Sequence, residues 1–245
     1  MERLVTVIAL AVLTMLASPS VAAAGATSGK ATAAKSGCDG ARLLSGSLLV
    51  DGLSSPLLGT VITTPPAPLD DLVQCVPLRF TTATERTTGR DCPNARVPGA
   101  KLRPKVAAKA VRCLIDRERR VRGIPELEAR PELKNSAKDH AHRMLSSACF
   151  SHQCPGEPDL VARTTAAQYL PCHCTWTVAE NLAWGLRAHS TPAAMVEAWM
   201  RSPGHRETLL LERLDDVGVA VRDGRPGSRS ARGAATYTAN FGVKR

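Results

Sequence analysis

The sequence predicts an α+β fold, with helices packed on a C-terminal antiparallel sheet and a disulfide-containing extension ahead of the main domain. Three observations carry this. Apolar residues recur at helical spacing through the middle of the chain, they alternate near its end, and all eight cysteines lie beyond a leader-like N-terminus.

Taken in order, Arg3 precedes an uncharged apolar run over residues 4–16, followed by Ser18-Pro19-Ser20 and Ala22-Ala23-Ala24. A run too short to span a bilayer, ending in small residues, reads as a secretory signal peptide over residues 1–24 that leaves no membrane span once cut. An uncleaved anchor is the alternative. About 220 of the 245 residues then remain, enough for one domain and an extension. Residues 25–37 hold no large apolar side chain and read as a flexible linker. Residues 38–90 carry short apolar runs, Ser47-Leu48-Leu49-Val50 and Thr60-Val61-Ile62-Thr63, broken by Gly and Pro. This strand-and-turn pattern suggests a small β subdomain closed by Cys38 and Cys75.

The main domain is expected over residues 91–245. Its first helix carries Ala107, Ala110, Val111, Leu114 and Ile115 on one stripe and stops at Gly123-Ile124-Pro125. Pro131 opens a second helix with the stripe Leu133, Ala137, His140, Ala141, Met144, Leu145 and Ala148, which makes His140 a core or boundary histidine and leaves His142 solvated. A third helix starts with Thr191 as cap and Pro192 at its first position. Ser202-Pro203-Gly204 should end it, with Gly204 in a positive-φ turn that delivers His205 just past the helix. Val217, Val219 and Val221 then define one strand face, and Tyr237, Ala239, Phe241 and Val243 another.

The formal net charge is +10, which favours anionic surfaces such as wall polymers or lipid headgroups. The densest cationic stretch, residues 101–122, has no interleaved aromatic side chain and argues against a base-stacking nucleic-acid surface. An even number of cysteines in a secreted chain reads as disulfides. Cys149, Cys154, Cys172 and Cys174 flank the segment between His152 and Glu180, and Cys172-His173-Cys174 leaves a zinc site as the alternative to bridges there.

His152, Glu180 and His205 are the candidates for chemistry, since two neutral imidazoles and a carboxylate suit zinc with a fourth position open to water. All three read as lying at or beside turns. Their spacing alone does not show that they meet, and unrelated hydrogen-bonding residues at loop ends fit equally. Glu197 reads as a solvated charge, and Ser202 lacks the strained turn of a nucleophile elbow.

Several segments in a fixed order resemble a known family. They are Cys113 to Arg119 with Gly123-Ile124-Pro125-Glu126-Leu127, Phe150-Ser151-His152, Glu180-Asn181-Leu182-Ala183-Trp184-Gly185, Trp199 to Arg206, Val217-Gly218-Val219 and Tyr237 to Gly242. Together they resemble the CAP superfamily of cysteine-rich secretory proteins, venom antigen 5 and pathogenesis-related class 1 proteins, in its secreted bacterial SCP-domain form. The resemblance implies a three-layer α-β-α sandwich in which His152, Glu180 and His205 line one cleft beside Asn181 and Ser202. It also implies zinc on His152 and His205, and a Cys92–Cys113 bridge. Where animal and plant members carry a second glutamate, this chain has Ser202. The expected function is therefore a secreted, non-catalytic binding module for an extracellular ligand, such as an anionic wall polymer or lipid, that stays on the wall or diffuses away. A zinc-dependent, peptidase-like hydrolase with Glu180 activating water is the alternative.

Overall fold

A computed structural model describes residues 92–170, 174–228 and 231–245, together with the backbone of four strands at 41–44, 48–54, 61–63 and 73–76. The leader and linker expected over residues 1–37 lie outside the described residues, as do Cys38 and the bridge proposed for it.

Among the described residues, five α-helices flank one sheet of eight strands. The helices are α1 (Pro104–Arg120), α2 (Pro131–Ser146), α3 (Leu160–Ala166), α4 (Pro192–Arg201) and α5 (Pro203–Leu210). The strands are β1 (Ala41–Leu44), β2 (Leu48–Ser54), β3 (Val61–Thr63), β4 (Val73–Val76), β5 (Glu128–Ala129), β6 (Thr175–Leu186), β7 (Asp216–Asp223) and β8 (Ala234–Lys244). The main path of the sheet is β3-β2-β6-β8-β7-β5, with β1 pairing both β4 and β6. Among the described strands, only the short β5–β7 pair is parallel. No helix among the described residues is long and apolar enough to cross a membrane.

Strand alternation divides the core into two layers. On one face Ala179, Ala183, Val217, Val219, Val221, Tyr237, Ala239, Phe241 and Val243 pack against α1, α4 and α5, with Trp199 fully buried among them. On the other, Trp176, Val178 and Leu182 meet α2, α3 and the segment after α3. The three-layer α-β-α sandwich is therefore present, as is the Cys92–Cys113 bridge that ties the start of the domain to α1.

The sequence reading left residues 175–186 without an element. They form β6, the central strand, which is buried on both faces and carries consecutive apolar positions at Val178-Ala179 and Leu182-Ala183-Trp184, so no alternation marks it. The extension also differs from a separate β unit. Its strands are real, but β2 runs antiparallel along β6 from Leu48 opposite Glu180 to Leu53 opposite Thr175, so they extend the domain's own sheet. The α2 helix ends at Ser146, and Ala148 lies in an exposed positive-φ turn rather than on the buried stripe.

Two buried polar contacts fix how the helices sit. Arg119 of α1 is fully buried and donates to the carbonyls of Pro125, Leu209, Leu211 and Leu214 at 2.7–3.1 Å, gripping the end of α5. Asp216 of β7 accepts from the Tyr169 hydroxyl at 2.7 Å and from Arg130 Nε at 2.8 Å, joining the sheet to the segments before α2 and after α3.

At Gly218 the backbone of α2 lies tight against the sheet. A Cβ there would come within 2.1 Å of the Lys134 nitrogen and 2.2 Å of the Leu133 carbonyl carbon. Because both are backbone atoms, no rotamer change relieves the clash. Gly218→Ala is expected to lower the unfolding free energy by about 3 kcal/mol, as overpacking of a close-packed interior does. Urea titration would show this as a lower midpoint with an unchanged slope.

Candidate functional site

The site is built around Glu180 at the middle of β6, not at a turn. Its side chain is fully buried on the α2/α3 face. Arg163 of α3 donates through Nη2 to Oε1 at 3.2 Å and Oε2 at 3.0 Å, and His152 Nδ1 lies 2.9 Å from Oε1. Burial alone would raise this carboxyl group's pKa. The charges of Arg163 and His140, with the hydrogen bond and charge of His152, outweigh that and hold it down to about 2. Glu180 is therefore ionised at neutral pH and only accepts, so His152 donates from Nδ1.

Three residues outside the expected set complete this network. His140 Nδ1 lies 2.8 and 2.9 Å from the two Glu157 oxygens, and its Nε2 lies 3.6 Å from Glu180 Oε1. Glu157 also accepts from the Cys154 amide at 3.1 Å, and Arg163 Nη1 stands 3.4 Å from it. His140 and Arg163 hold the Glu157 pKa below the usual carboxylate value despite burial. One guanidinium thus bridges two buried carboxylates, with an imidazole beside each. His140 does lie in the core stripe, but there it is a member of the polar cluster. The sequence carried one signal for this, since a histidine on an apolar stripe needs a buried polar partner. Glu157 and Arg163, in a stretch without strong periodicity, gave none.

His152 stands in the loop between α2 and α3, inside the short ring closed by the Cys149–Cys154 bridge. A closed ring restricts the backbone on both sides of the imidazole. Cys174 is also disulfide-bonded, which removes it as a thiolate ligand. Cys172 and His173 lie outside the described residues.

His205 comes from the opposite layer. Ser202 ends α4, as expected, but Pro203 immediately opens α5, so His205 occupies the first turn of a new helix and Gly204 has no positive φ. Ser202 is the N-cap residue of α5, yet its hydroxyl makes no cap hydrogen bond. Its Oγ instead meets His205 Nδ1 at 2.8 Å, exchanging a cap for control of ring orientation. Asn181, next to Glu180 on β6, faces the other side of the sheet and donates from Nδ2 to the His205 carbonyl at 3.1 Å. Glu197 sits apart from the cleft, paired with Arg201.

Burial and the nearby charge of His152 push the His205 pKa down to about 3, so the ring is neutral at physiological pH. Whichever way the Ser202 contact is polarised, the buried Nε2 has no hydrogen-bond partner among the described residues. A neutral imidazole with an unpaired inward nitrogen fits a metal ligand. His152, whose Nδ1 is fixed on a carboxylate, has the orientation that supports a ligating Nε2. No set of three or more His, Cys, Asp or Glu side chains among the described residues is gathered as a metal cage. The donor chemistry thus fits a two-imidazole site that solvent would complete, in which Glu180, already on His152 Nδ1, would orient that ring instead of serving as a ligand itself.

The model of the cysteine-rich secretory protein family, CAP, matches residues 113–241, just over half of the chain. The chain belongs to this CAP family. It is 32% identical over 108 residues to the uncharacterised protein YkwD of Bacillus subtilis, a match covering 43% of this chain and 38% of that protein. It therefore spans well under half the length of this curated relative. Among solved structures, it is similar to an extracellular SCP-domain protein from Bacillus anthracis, with 24% identity, a TM-score of 0.46 and coverage of 56% of this chain and 40% of the other. An outer surface protein from Borrelia burgdorferi matches at 19% identity and a TM-score of 0.48, covering 59% of this chain and 97% of that one.

The site sets a pH dependence whose sign is fixed. Both Glu180 and His205 have lower folded pKa values, about 2 and about 3, than their ordinary values of 4.5 and 6.5. In each case the unfolded chain takes up the proton first, so stability falls on acidification. His205 acts between pH 6.5 and about 3, and Glu180 between 4.5 and about 2. In chemical denaturation across this range, His205→Asn is expected to flatten the decline between pH 6.5 and 4.5 and leave a decline below it. Glu180→Gln leaves Arg163 short of one counter-charge and should cost about 3–5 kcal/mol at neutral pH, measured by urea titration.

Proposed function

We propose that this CAP-family chain is an extracellular binding module, not an enzyme, whose cleft holds a divalent cation such as zinc through His152 and His205. One observation carries the non-catalytic reading. Glu180, the acid that a hydrolase would need as its base, is fully buried, engaged by Arg163 and His152, and held down to about 2. A base this weak is mismatched to proton abstraction near neutral pH. Ser202 supplies no second carboxylate, and its hydroxyl orients His205. A bound ion would supply a positive centre for an anionic or carbonyl-bearing ligand, while His152 and His205 would supply its protein donors.

The leader-like N-terminus supports an extracellular setting, and so do the disulfides Cys92–Cys113 and Cys149–Cys154, because such bridges persist where the medium is oxidising. The cationic surface favours anionic surroundings such as wall polymers or lipid headgroups, at which the protein would be concentrated.

Elemental analysis of the oxidised, zinc-loaded protein tests the cleft. The wild type should retain about one zinc through dialysis, and the His152→Ala/His205→Ala variant should retain none. Neither protein should hydrolyse a broad panel of peptide substrates. Turnover by the wild type that disappears in a correctly folded His205→Ala variant would replace the binding reading with the hydrolase.

A further inference from the structure

Away from the cleft, β7 lies at the edge of the main sheet path, and β5 covers it only at Asp216 and Val217. Beyond that point a groove runs along β7 between α1 and α2, with connected cavities of about 220 and 310 Å³ that share Lys105, Ala108, Lys134 and Val219. From Val217 toward Arg222, the α2 rim advances through Lys134 to Lys138 while the α1 rim runs back through Lys109 to Lys105. No acidic side chain lines either cavity. Arg112 and Arg130 at one end are already paired with Asp116 and Asp216. The side chains of the four lysines make no hydrogen bond or ion pair among the described residues.

The backbone of the edge is available as well. Val217 accepts from the Arg130 amide on the outer side of β7, and alternation along the strand turns the N–H and C=O groups of Val219 and Val221 the same way. Among the described residues neither valine has a backbone partner on that side. Lysines four apart on a helix advance about 6 Å, and alternate residues of a strand about 7 Å. An added strand would therefore present its alternating side chains to the two lysine rims in step.

We infer that this groove binds an extended acidic peptide segment, taken up as an extra strand beside β7 with carboxylates against Lys105 and Lys109 on one rim and Lys134 and Lys138 on the other. Both features of the groove are used by such a ligand: the main-chain groups of Val219 and Val221 by its backbone, the lysines by its side chains. An acyl chain or a phosphodiester would meet the apolar floor or the cations, but would leave those main-chain groups unpaired in a slot shielded from water. The surface is distinct from the His152/His205 cleft and does not depend on metal there.

The test is fluorescence polarisation with the full, oxidised chain and a dye-labelled octapeptide carrying a central run of glutamates between valine–threonine ends. Companion probes have lysines in place of the glutamates, or N-methyl groups on alternate amides. Saturable binding of the acidic peptide alone is expected, weakened at least about tenfold by Lys105→Glu/Lys134→Glu and less by Lys109→Gln/Lys138→Gln, with unchanged circular dichroism. Equal binding of the methylated peptide would overturn strand addition. Undiminished binding by the charge-reversed variant would overturn the location. Phosphatidylglycerol vesicles that bind in a manner dependent on Lys105 and Lys134, while the peptide does not, would assign the groove to lipid.

Discussion

The arrangement of the cleft depends on the burial of one carboxylate. Glu180 sits at the centre of β6 with no exposed surface, and an isolated ionised carboxylate in such a place would cost many kcal/mol. It is tolerated because Arg163 and His152 converge on it from a separate helix and a separate loop. Arg163 and His140 in turn engage Glu157, whose other oxygen accepts the Cys154 amide. Removing one member leaves a charge without its counterpart, so β6, α2, α3 and the bridged loop between them are held in register by one electrostatic unit.

Adjacent residues of β6 extend that control to both layers. Glu180 and Asn181 point to opposite faces because side chains alternate along a strand. One organises His152 on the α2/α3 side, and the other holds the His205 carbonyl on the α4/α5 side. Arg119 grips the far end of α5 and the turn after it through three carbonyls, so the short helix bearing His205 is fixed at both ends. A one-residue step in one strand thereby relates two histidines that lie 53 positions apart in the chain.

Charge is used differently inside and outside the molecule. In the cleft, positive and negative groups are paired and buried, which suits a preorganised pocket more than proton transfer. Along the β7 edge four lysine side chains stand together without counter-charges among the described residues, beside unpaired main-chain groups. The first arrangement is satisfied within the protein, and the second invites a partner.

The helices were legible in the sequence because each has one buried and one exposed side, as in Ala107 to Ile115 and the stripe from Leu133 to Leu145. The C-terminal strands are buried on both faces, and were legible because large apolar side chains from Val217 and from Tyr237 alternate with Gly, Ala, Thr or Asn. The ordered motifs placed His152, Glu180 and His205 in one family's cleft. Residues 175–186 escaped because apolar positions run together at Val178-Ala179 and Leu182-Ala183-Trp184, with Glu180 and Asn181 adjacent between them, so no alternation sets a period. Tertiary structure alone decided that Glu180 is a buried, charge-neutralised anchor, that Ser202 leaves its capping bond to orient His205, and that His140, Glu157 and Arg163 belong with them. Local sequence determines which side of a segment avoids water. Which buried charges find each other depends on contacts between segments distant in the chain, and no local pattern encodes those.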